Sequence, residues 1–60
     1  MTVRAELSSV STLLEELVVR ISAIADSMTP AELEALGAEL AEVERSLTAA
    51  QRRLVRALSS

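Results

Sequence analysis

The stretch Asp26-Ser-Met-Thr-Pro-Ala-Glu-Leu33 holds the only proline of a 60-residue chain. It either kinks one long rod or reverses the chain on itself, and its chemistry favours reversal. Thr29 can cap a new helix, and Pro30 then takes the first helical position, where a missing N–H costs nothing. Glu32 falls at the third position, so Thr29-Pro-Ala-Glu32 reads as a capping box. Met28 and Leu33 have the spacing of a hydrophobic staple across the helix start. Pro30 also disfavours helical geometry at Thr29.

The flanking segments carry two heptad ladders. Before the break, apolar residues fall at Val3, Leu7, Val10, Leu14, Leu17, Ile21, Ile24 and Met28, in alternating steps of four and three. After it, Leu33, Leu36, Leu40, Val43, Leu47, Ala50, Leu54 and Ala57 step by three and four. Such spacing marks a helix with one apolar seam. With Leu7, Leu14, Ile21 and Met28 at heptad position a, Val3, Val10, Leu17 and Ile24 occupy d. In the second ladder Leu33, Leu40, Leu47 and Leu54 are a. The step from Met28 to Leu33 is a phase slip that rotates the stripe by about 140° in a straight helix. One rod would present two different faces. The fold expected is therefore all-α: a single-domain antiparallel hairpin, helix one at about 3–26 and helix two at about 30–58. A short link joins antiparallel neighbours.

Charge offers a register. In a reversal about the turn, g positions whose numbers sum to 59 oppose one another, pairing Glu6 with Arg53 and Arg20 with Glu39. Both pairs are opposite in sign. The e edge, with Arg4, Ser11, Val18 and Ala25 on one helix and Gly37, Glu44, Gln51 and Leu58 on the other, has no such pairs. It and its b neighbours, Ala41 and Val55 among them, are mostly small or apolar. Val18, Ala25, Gly37, Ala41, Val55 and Leu58 are therefore candidates for a second interface. The expected core is Leu7, Val10, Leu14, Leu17, Ile21, Ile24, Leu33, Leu36, Leu40, Val43, Leu47 and Leu54.

A chain this short is marginal alone, and the usual rescues are disulfides, a metal or oligomerisation. There is no Cys and no His, so association is the remedy left, and a homodimeric four-helix bundle is its simplest form. Residues 29–44 carry five Glu and no base, and residues 45–60 carry four Arg and no acid. That polarity suits antiparallel docking of two second helices, and equally complements the helix dipole.

Catalysis is not expected. Neither His nor Lys is present to activate a hydroxyl. The Glu residues fall on outer helix faces, and no cofactor or metal is implied. Arg45, Arg52 and Arg56 line one face and could meet phosphates. Net charge is −3 and aromatics are absent, which weighs against nucleic acid as a partner. The most apolar run, residues 13–25, contains Glu15, Glu16 and Arg20 and is too short and charged for a bilayer. No basic stretch with an apolar block opens the chain, so a soluble cytoplasmic protein is the expectation.

In size, central turn and paired seams the chain resembles the small RNA-binding bundle proteins of plasmid copy control. The resemblance is one of architecture, and no motif is shared. The function expected is a protein–protein interaction or oligomerisation module, a small adaptor or regulator. The alternatives are RNA binding through the Arg stripe, and a small subunit that inhibits or chaperones a larger protein.

Overall fold

Thr2 opens the first helix. Its hydroxyl accepts from the Ala5 N–H at 3.0 Å, satisfying one of the N–H groups that a helix start leaves without a partner. In the computed structural model, which describes residues 2–60, this helix, α1, runs Val3–Asp26. It ends at Ser27, whose hydroxyl and N–H both donate to the Ile24 carbonyl. The second helix, α2, runs Pro30–Ser59. Ser27, Met28 and Thr29 alone connect the two.

The start of α2 is a complete capping box. The Glu32 N–H donates to Thr29 Oγ1 at 3.2 Å, and the Thr29 N–H donates to Glu32 Oε1 at 2.9 Å. Thr29 is extended at φ −68° and ψ 160°, and Pro30 takes the first helical position. The reversal needs no left-handed residue. The local chemistry of residues 29–32 therefore produces the turn that defines the fold.

The two helices lie side by side as a slab measuring 45 × 17 × 11 Å over its Cα atoms. Its radius of gyration is 14.2 Å, against about 10 Å for a compact chain of this length. A slab one helix thick has no interior, because domains enclose a core between at least two layers. Among the described residues no apolar side chain is buried, and Ser11 alone is, at 8% exposure.

The half-buried positions reveal how the helices meet. On α1 they are Leu7, Leu14, Val18, Ile21 and Ala25, with Ser11 buried between them. On α2 they include Gly37, Leu40, Glu44, Leu47, Gln51, Leu54 and Leu58. These are a and e positions. Within one chain the helices meet through a and e, where the sequence suggested a and d.

Candidate interaction surface

The a residues Leu7, Leu14, Ile21, Leu40, Leu47 and Leu54 are half-buried, and Leu33 is 45% exposed. At position d, Val10, Leu17, Ile24, Leu36 and Val43 remain 42–54% exposed. Of the residues expected at a second interface, Val18, Ala25, Gly37 and Leu58 lie in the seam between the two helices, while Ala41 and Val55 are exposed. Within the chain, then, the d and e positions have exchanged the places expected of them. Small or polar side chains at e let the backbones approach, and the bulky d residues turn to one broad face of the slab.

The register changes with the seam. Glu6–Arg53 and Arg20–Glu39 do not form. Among the described residues the one ion pair is Arg45 with Glu42, three residues apart on α2. The e edge, expected to be open, is instead closed by hydrogen bonds. Gln51 Nε2 donates to Ser11 Oγ at 3.3 Å. Ser22 Oγ donates to Glu44 Oε1. Arg4 donates through Nη1 to the Leu58 carbonyl at 2.6 Å and through Nη2 to the Ser60 oxygen at 3.1 Å. This last contact sets a cation at the negative end of the α2 dipole. A long g side chain lies too far round its helix to meet its counterpart when a and e form the seam.

One broad face of the slab is thus bordered by the hydrogen-bonded e positions of the seam, and it exposes Ala41 and Val55. The other carries Val3, Val10, Leu17 and Ile24 from α1 and Leu36, Val43, Ala50 and Ala57 from α2, edged by the exposed Leu13. This second face tapers. Near the turn it is built from Leu17, Ile24, Leu36 and Val43. Toward the chain ends Ala50 and Ala57 lie in an open groove, lined also by Leu14, Ser46, Arg53 and Leu54. The groove follows from two Ala residues at successive d positions, a signal present in the ladder.

The whole slab exposes more surface than a compact chain of its mass. A folded monomer of 6.4 kDa exposes about 3,800 Å²; this chain exposes 4672 Å². The excess, roughly 900 Å², is close to the ~800 Å² that one partner contributes to a standard interface.

The charged groups offer less. Arg45, Arg52 and Arg56 are exposed on α2, and Arg45 is engaged by Glu42. Among the described residues no cluster of three or more acidic, His or Cys side chains is placed to hold a metal. The Glu32 carboxyl is held below the usual range by the Thr29 backbone N–H, and further by the Thr29 hydroxyl. It is a structural carboxylate at a helix start. No described helix is long and apolar enough to cross a membrane.

No protein-family model, curated protein or solved structure matches the chain.

Proposed function

We propose that the chain is a non-enzymatic protein–protein interaction module, a cytoplasmic helical hairpin that self-associates into a four-helix bundle and works as an oligomerisation element or small adaptor. The observation that carries the proposal is the d face, eight aliphatic residues across both helices that all remain exposed. A second hairpin laid on that face would supply the missing second layer. The d residues would then join the a residues in one core, as the heptad ladders suggest.

Sedimentation equilibrium of the pure chain tests the proposal. The result expected is a stable dimer of twice 6.4 kDa with full helical content. A partly unfolded monomer would overturn it in favour of an obligate small subunit of a larger protein. Binding of RNA that falls steeply with salt, and with Arg52→Ala or Arg56→Ala, would redirect attention to the Arg face.

A further inference from the structure

Resting on that reading, we infer that the two copies pack with their turns at opposite ends of the bundle, so that the bulky end of each d face fills the shallow end of the other. Two twofold arrangements lay one d face on another with every neighbouring helix antiparallel. With the axis parallel to the helices, both turns lie at one end and α1 covers α2 of the second copy. With the axis across the helices, the turns lie at opposite ends and α1 covers α1 of the second copy.

The taper separates the two. Turns together would stack Ile24 and Leu36 on Leu36 and Ile24 of the second copy, and Val3 and Ala57 on Ala57 and Val3. One end would be overfilled and the other left with a void over the Ala50–Ala57 groove. Turns apart set Ile24 against Val3, Leu17 against Val10, Leu36 against Ala57 and Val43 against Ala50. Large meets small in every layer, which is how a core fills evenly.

Charge accepts the same alignment. The axis then passes by Leu13 and Ser46. Each Leu13 meets the Leu13 of the second copy, and each Ser46 meets the second Ser46. On the same edges Glu6 faces Arg20 of the second copy, and Glu39 faces Arg53. Among the described residues Glu6, Arg20, Glu39 and Arg53 have no salt-bridge partner; this alignment gives each an opposite charge, as would turns together, so charge permits the arrangement and the taper selects it. Exposed pairs add little affinity, and their use is to fix register.

The chain has no cysteine, so single-cysteine variants make clean probes. Leu13→Cys and Ser46→Cys are each oxidised under a glutathione buffer, alone and mixed, alongside sedimentation of the reduced proteins. The result expected is that each variant alone forms a disulfide-linked dimer in high yield, and that mixing adds little cross-linked heterodimer. Linkage only in the mixture would overturn the inference, since Leu13 would then face Ser46 with the turns together. A reduced dimer that links in no combination would overturn the choice of face while leaving self-association standing. A monomer at all concentrations would overturn self-association itself. Val55→Cys, on the opposite broad face, is expected to stay unlinked, and rapid linkage there would also count against the d face.

Discussion

The two broad faces of this hairpin are made from the same two helices and differ in how their side chains are partnered within the chain. On one, Ser11, Ser22, Glu44 and Gln51 satisfy one another, and Arg4 closes the end of α2. On the other, eight aliphatic residues stay exposed. Hydrogen-bonded polar groups are settled within one chain, whereas aliphatic side chains gain only from area removed from water, roughly 25 cal/mol per Å². The contrast is between polar groups that find partners inside the chain and aliphatic groups that stay exposed.

The largest test of that contrast compares Leu17→Ala with Leu40→Ala. Leu40 is half-buried between the helices and Leu17 lies on the d face. If a second copy covers that face, both substitutions should cost about 2–5 kcal/mol in urea melts at fixed protein concentration. A lone hairpin would register Leu17→Ala at about 0.5 kcal/mol or less, like Val19→Ala on the outer surface, and the contrast would lose its meaning.

Thr29→Ala touches neither face and serves as the reference for a purely intrachain loss. Removing the cap should cost about 1 kcal/mol and lower the melting temperature with no change in the number of copies seen by sedimentation. A change in stoichiometry would tie the turn to the interface.

The hydrogen-bonded face is probed by Ser11→Ala, which leaves Gln51 without its partner and should cost about 1 kcal/mol. Adding Gln51→Leu removes both polar groups, and the double variant should recover most of that loss. If it does not, the Ser11–Gln51 contact aligns the helices by shape and not by hydrogen bonding.

Gly37→Ala sharpens the same face. A Cβ placed there would meet only Leu33, at 3.7 Å and 3.9 Å, in ordinary contact. The substitution should stabilise the chain by about 0.5–1 kcal/mol through helix propensity. Destabilisation would mean that another helix approaches closely at Gly37, and that this face is an interface too.

The smallest effect is acid sensitivity at the cap. The Glu32 carboxyl is lowered in the folded chain by its Thr29 hydrogen bonds. Its contribution is therefore fully present above the ordinary Glu value of about 4.3 and is lost as pH falls through the lower folded value. Glu32→Gln should flatten the decline of melting temperature below pH 4 by a small margin. An unchanged profile would mean that the carboxylate charge adds nothing to the cap.

The turn and both helix limits were legible because short-range chemistry decides them. Thr29, Pro30 and Glu32 act within one turn of helix, whereas the Thr2 cap of α1 was found only in the structure. The ladders showed which residues are apolar but not which of them face one another inside one chain. From any a position, d lies about 60° to one side and e about 40° to the other. A four-helix bundle uses both directions, and which neighbour comes from the same chain is a tertiary choice. The g-edge ion pairs were misassigned for that reason. The e-edge bonds passed unnoticed because Arg4 bonds to the Leu58 carbonyl, Glu44 to the Ser22 hydroxyl and Ser11 to Gln51, so no pattern of opposite charges marks them. The d face was visible as sequence from the start, and what it lacked was the information that α1 and α2 leave it uncovered.

Time adds an order to this geometry. Thr29 and Glu32 satisfy each other without help from α1, so α2 can begin before its neighbour arrives. Only three residues separate the helices, and a short connection closes at little entropic expense and at high speed. The hairpin should therefore zip from Met28 outward, with the Arg4–Leu58 contact the last to close and the first to open. Amide exchange should quicken from the middle of each helix toward the chain ends, and the strap formed by Arg4 sets how far that fraying reaches.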